Sequence, residues 1–159
     1  MILIVLQACA WLLLRLAGAL GAPGLGTWRD AGRASMAIVF AFAGAAHFAP
    51  LKHDLLAMIP PPVPREMWLI YLTGVLEIAG ALGLLIPAVR RAAAICLIAF
   101  LLAVLPANIY AALNDIPLLG QPPMPLLERI PLQFFWIAVL WWTAVRRRLP
   151  RLQTANGTN

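Results

Sequence analysis

Charge is scarce in this chain. Asp, Glu, Lys and Arg make up 11% of it, where a soluble domain carries about a quarter. Together with 63% hydrophobic residues, that shortage excludes an ordinary soluble domain and predicts one integral membrane domain, with no separate soluble module in these 159 residues. Acids are scarcer than bases, six against twelve, for a formal charge of +6 and a pI near 10.7. The bases lie between apolar stretches and at the C-terminus, without a basic stripe interleaved with stacking aromatics. Membrane orientation accounts for them, and nucleic acid is excluded as a partner.

Cysteine and histidine are equally sparse. Cys9 and Cys96 sit on different apolar stretches and form no CxxC pair, which excludes a disulfide framework or thiol-redox motif; both are expected to be small packing residues. His47 and His53 are too few for a metal site without carboxylate help, and His47 alone would give a haem one axial ligand. No metal site is assigned. Nucleophile–base motifs, glycine-rich phosphate loops and dinucleotide fingerprints are absent, so no motif names a reaction.

What the chain does have is long apolar runs, at residues 1–20, 34–51, 67–87, 92–113 and 130–146. Each approaches the ~20 residues that a helix needs to cross a bilayer, predicting an all-α, polytopic transmembrane bundle. The first run resembles a signal peptide and Ala17-Gly-Ala19 mimics a cleavage site. However, no basic residue precedes the run and Arg15 follows it, so a retained helix is expected.

Arginine places the ends. Arg29 and Arg33, then Arg90 and Arg91, then Arg146, Arg147, Arg148 and Arg151 all fall on one side of a five-span path. The other side holds Lys52, Arg65 and Arg129, diluted by Asp54, Glu66 and Glu128. An excess of Lys and Arg marks the cytoplasmic side, which puts the N-terminus out and the C-terminus in. The outward loops, residues 53–65 and 114–131, are rich in proline and are expected to be stiff, ordered caps. The tail 147–159 is expected to be a basic, frayed cytoplasmic segment.

One carboxylate stands out. Glu77 lies near the middle of the third run, where an ionisable group costs at least ~2.5 to 3.5 kcal/mol on the insertion scale. Thr73, Gly74, Gly80 and Ala81 share its helical face, and small residues let a neighbouring helix approach, so that face is expected to point into the bundle. His47, with Ala43 and Gly44 one turn earlier, is turned inward by the same logic. In the fourth run Asn108 follows Pro106, which leaves the Leu102 carbonyl without its helical donor and predicts a kink.

With the deduced orientation, His47, Tyr71, Asn108, Tyr110 and Gln133 fall in the outer half of the membrane. Glu77 lies about ten residues below the outer start of its span, roughly 15 Å at 1.5 Å per residue. On that count His47 is too shallow to touch it unless the second helix continues past Pro50. Each residue also has a plain structural reading. Glu77 can be a helix-to-helix hydrogen bond, His47 a partner for a backbone carbonyl, and Asn108 a cap for the kink. Tyr71, Tyr110 and Trp68 suit interfaces and packing.

The segments Gly44-Ala-Ala-His47-Phe-Ala-Pro50, Met58-Ile-Pro-Pro-Pro-Val-Pro64, Tyr71-Leu-Thr73-Gly74-Val-Leu-Glu77-Ile-Ala-Gly80-Ala-Leu-Gly83, Arg90-Arg91 and Leu105-Pro106-Ala-Asn108 resemble, in order and spacing, the DoxX-like membrane proteins. The resemblance covers about residues 34–145. It implies a four-helix membrane core over residues 34–146, with residues 1–33 added as an N-terminal helix and loop, in a bacterial inner membrane. It also implies an association with quinone-linked redox chemistry. Unlike the redox relatives, this chain lacks a CxxC.

Two functions follow as expectations. In the first, the bundle binds a quinone or similar small lipophilic molecule in its outer half; Glu77 exchanges a proton, while His47, Tyr71, Thr73 and Asn108 contact the ligand. In the second, the chain is a non-catalytic accessory subunit or assembly factor of a larger membrane complex. Membrane lipids are partners in both. A small transporter is disfavoured by five spans without an inverted repeat.

Overall fold

Backbone amides inside a bilayer must be satisfied without water, and runs of about 20 continuous apolar residues do this as helices. The computed structural model, which describes residues 2–146, is helical throughout apart from loops and a lone β-bridge between Leu118 and Gln121. Helices α1 (Ile2–Ala19), α2 (Trp28–Ala46), α4 (Met67–Leu85), α5 (Arg90–Leu113) and α6 (Leu126–Leu140) correspond to the five apolar runs. A short α3 (Lys52–Ala57) lies between α2 and α4, and α6 continues into a π-helical turn, Trp141–Val145. The predicted tail, with Arg147, Arg148 and Arg151, lies outside the described residues.

Three helices, α1, α4 and α5, are long and apolar enough to cross a membrane. The other two differ from the expected runs for local reasons. α2 starts six residues before its apolar run, because the Thr27 hydroxyl accepts the Asp30 amide at 3.1 Å and Asp30 favours the first turn. Its first turns therefore carry Arg29, Asp30 and Arg33. It stops at Ala46, four residues before Pro50, through which the helix cannot continue regularly. α6 has 15 residues before the path widens into the π turn.

α2 makes its most extensive contact with α4, while α1 packs on α2 from the other side; α4 also packs on α5, α5 on α6, and α6 with its π turn returns to α2. Met36 and Phe40 of α2, Leu84 of α4, Leu97 and Leu101 of α5 and Leu140 of α6 form the buried core. α1 is joined to α2 by a buried bond from Gln7 Nε2 to Ser35 Oγ at 2.8 Å. Cys9 and Cys96, expected as packing residues, are instead exposed on α1 and α5 and form no disulfide. In a chain with so much apolar surface, small apolar residues face outward as readily as inward.

The two ends of the bundle differ. At the proline end, Asp54 Oδ2 accepts the Leu119 amide at 2.8 Å, and Arg65 donates to the Ile59 carbonyl at 2.8 Å and the Tyr110 hydroxyl at 3.0 Å. These bonds tie the proline loops to one another and to α5. At the opposite, arginine end, Arg29 of α2 donates to the carbonyls of Trp142 and Arg146, closing the end of the π turn.

Candidate functional site

Two glycines set the position of Glu77. A Cβ at Gly44 would lie 2.8 Å from the Gly74 carbonyl oxygen and 3.1 Å from Glu77 Cβ, and one at Gly74 would lie 2.6 Å from His47 Cβ. α2 and α4 therefore touch backbone to backbone at this crossing. Glu77, 8% exposed, is held in the contact.

His47 reaches Glu77. Its Nδ1 lies 3.6 Å from Glu77 Oε2, which corrects the expectation that His47 is too shallow unless α2 runs past Pro50. The helix ends earlier than that, yet the side chains meet. Helical side chains lean toward their own N-terminus. α2 and α4 run in opposite directions, so the imidazole leans from the proline end toward the middle and the carboxyl leans back to meet it. His47 packs opposite Gly74, three residues before Glu77, and that rise of roughly 4.5 Å is within reach of both side chains.

The pair is polar but incompletely satisfied. His47 Nδ1 lies 3.0 Å from the Ala43 carbonyl oxygen. A carbonyl only accepts, so Nδ1 carries the hydrogen, and Nε2 is the acceptor in the neutral ring. Glu77 Oε2 is buried without a hydrogen-bond partner, since 3.6 Å is beyond bonding distance. Side-chain exposure is 13% for His47 and 10% for Glu77, so both are largely enclosed. The arrangement can hold, donate or accept a proton, or bond one polar group of a ligand.

The remaining expected site residues go elsewhere. Tyr71 stacks on Phe48 at 5.7 Å between ring centroids, and its hydroxyl accepts Lys52 Nζ at 3.2 Å, near the bundle surface. The Thr73 hydroxyl donates to the Ile70 carbonyl of its own helix at 2.8 Å. Asn108 belongs to a second cluster, between α5 and α6. Its Nδ2 donates to Gln133 Oε1 at 3.1 Å, and its Oδ1 accepts Arg129 Nη1 at 3.1 Å. Gln133 Nε2 donates to the Leu101 carbonyl, one residue before the carbonyl that Pro106 was expected to orphan. Among the described residues no hydrogen bond or ion pair joins this cluster to Glu77. The residues expected to contact one ligand are thus spread out, with His47 beside Glu77 between α2 and α4 and Asn108 beside Gln133 between α5 and α6.

Arg129 and Gln133 were not among the expected site residues. Their spacing of four places them on one face of α6, which was the available signal. Two clefts, of about 500 and 310 Å³, open at the arginine end, and neither is lined by Glu77 or His47. No group of three or more potential metal ligands occurs among the described residues.

An all-helical chain with three helices of membrane-crossing length and apolarity is a helical membrane protein. Residues 36–144 match a domain of unknown function, DUF8561, and the chain belongs to that family. The match runs from Met36 in α2 to Ala144 in the π turn, so it takes in both polar clusters and leaves out α1. None of the curated proteins and none of the solved structures matches the chain.

Proposed function

We propose that this is a DoxX-like membrane protein in which α2, α4, α5 and α6 form a four-helix core and α1 is an added helix. All five long helices cross a bacterial inner membrane in this reading, with the arginine end cytoplasmic. The closed circuit of contacts among the four helices supports it, as do exposed Trp68 near one end and exposed Trp28, Trp141 and Trp142 near the other.

Within that bundle the Glu77–His47 pair receives one polar group of a small lipophilic ligand of quinone type, between α2 and α4 toward the proline end. The observation that carries this reading is the buried Glu77 Oε2, which lacks a partner 3.6 Å from an imidazole. A buried acceptor left unbonded costs about 1–3 kcal/mol, which a ligand hydroxyl would recover. Tyr71 and Asn108 take no part, because other side chains engage them. Equilibrium dialysis of the detergent-solubilised protein against a short-chain benzoquinol tests the reading. The wild type retains the quinol and Glu77→Gln, which keeps the shape but replaces the acceptor oxygen or its proton, releases it; equal retention by both sinks it.

A second reading is favoured by the tight glycine crossing that encloses Glu77. Here the pair is a helix-to-helix contact, and the chain is a non-catalytic accessory subunit or assembly factor of a larger membrane complex. Native mass spectrometry after gentle solubilisation separates the two. Partner chains in stoichiometric amount support the accessory role, and a lone chain carrying a small molecule opposes it.

A further inference from the structure

Arg29 and Arg33 of α2, Arg90 and Arg91 of α5, and Arg146 after the π turn meet at one end of the bundle. The two clefts there adjoin across Asp30, Arg33, Pro87 and Arg90. Arg29, Arg33, Arg90, Arg91 and Arg146 line the smaller one together with a single acid, Asp30. That acid is already engaged, its Oδ1 lying 3.0 Å from Arg33 Nη1. Arg90 and Arg91 open α5, whose first turn contains no acidic residue, and they bond no side chain among the described residues. A helix N-terminus is the positive end of its dipole, so two cations there repel it and one another unless an anion is supplied. The π turn forms part of the wall through Thr143, Ala144 and Val145.

The larger cleft has a different lining. It runs past Leu25, Ala34 and Leu85, beside exposed Ile86 and Val89. A cationic mouth thus opens onto an apolar wall, in a chain whose helices are built for lipid. A free inorganic anion would use the mouth and leave the wall bare. An amphiphile with an anionic head uses both.

We propose that the double cleft binds one anionic phospholipid, with its phosphate among Arg33, Arg90 and Arg91 and an acyl chain along Leu25, Ala34 and Leu85. The site is independent of the Glu77–His47 pair and stands whatever that pair binds. Arginine suits the task, because its planar fork bonds two phosphate oxygens at once.

Native mass spectrometry of the full chain, released from neutral detergent with equimolar phosphatidylglycerol and phosphatidylcholine, tests the assignment. The wild type retains phosphatidylglycerol over phosphatidylcholine by about tenfold or more, and the double variant Arg90→Gln/Arg91→Gln loses that preference. Lys52→Gln, which removes one positive charge at the other end, leaves it unchanged. A wild-type arm covers the case in which the double variant misfolds: raising ammonium acetate to about 1 M, where the screening length is near 3 Å, abolishes the preference. Equal retention of the two lipids, or a preference indifferent to salt, overturns the proposal. Displacement of phosphatidylglycerol by equimolar inorganic phosphate also overturns it, because the cleft would then be a site for free phosphate.

Discussion

Gly44 and Gly74 face each other across α2 and α4 so closely that a methyl group on either would meet the other's carbonyl oxygen, at 2.8 Å from Gly44 and 3.0 Å from Gly74. Everything near Glu77 depends on that approach. Without Cβ atoms the two backbones come together, and the side chains beside them, His47 and Glu77, are brought within 3.6 Å.

Gly74→Ala is therefore expected to separate the helices by a few tenths of an ångström or more. Forcing an extra methyl into a packed contact costs about 1–3 kcal/mol. The melting temperature in detergent should fall for Gly74→Ala and Gly44→Ala. It should stay unchanged for Gly26→Ala, where nothing lies near an added Cβ. Equal melting for all three would mean that the crossing is looser than described.

Gln133 joins α6 to the proline-interrupted part of α5 through the Leu101 carbonyl and Asn108. Gln133→Leu keeps the bulk and removes both bonds, leaving the Asn108 amide without its acceptor. A loss of about 1–3 kcal/mol is expected from unsatisfied polar groups away from water. Thermal unfolding measures it, and Asn108→Leu combined with Gln133→Leu should cost less than the sum of the two single changes, because they share one bond.

At the proline end Leu119 has a φ of 54°, a left-handed conformation that non-glycine residues rarely adopt, and its amide donates to Asp54. Asp54→Ala should release that amide, so that its hydrogen exchange quickens while α4 and α5 stay protected. Leu119→Gly removes strain of about 1 kcal/mol and should partly restore stability in the Asp54→Ala background. If amide exchange at Leu119 does not respond to Asp54→Ala, the loop is held by other contacts.

Much of this architecture was legible in the residues. The apolar runs located five long helices, and the small residues Gly74, Gly80 and Ala81 identified the face of α4 that buries Glu77. Arginine counting grouped Arg29, Arg33, Arg90, Arg91 and Arg146, which do meet at one end. Polar contacts between helices were harder to read. Counting residues along a helix gives the depth of a backbone, whereas whether His47 meets Glu77 depends on which way two antiparallel side chains lean. Asn108 was read as a ligand contact or as a cap for the kink at Pro106; the neighbour that decides its role, Gln133, lies 25 residues away on another helix. Tyr71 was placed by depth and Thr73 by spacing, yet a nearby lysine and a backbone carbonyl engage them.

The central claim is that the Glu77 carboxyl responds to a bound lipophilic ligand. Infrared difference spectroscopy on membranes containing the protein, recorded with and without a short-chain quinol, reads that group directly, and the chain has only six acidic residues to contribute. A carboxyl-region difference band is expected in the wild type, absent in Glu77→Gln and altered in His47→Gln. Identical difference spectra for the wild type and Glu77→Gln would contradict it, and the pair would then be a contact between helices and nothing more.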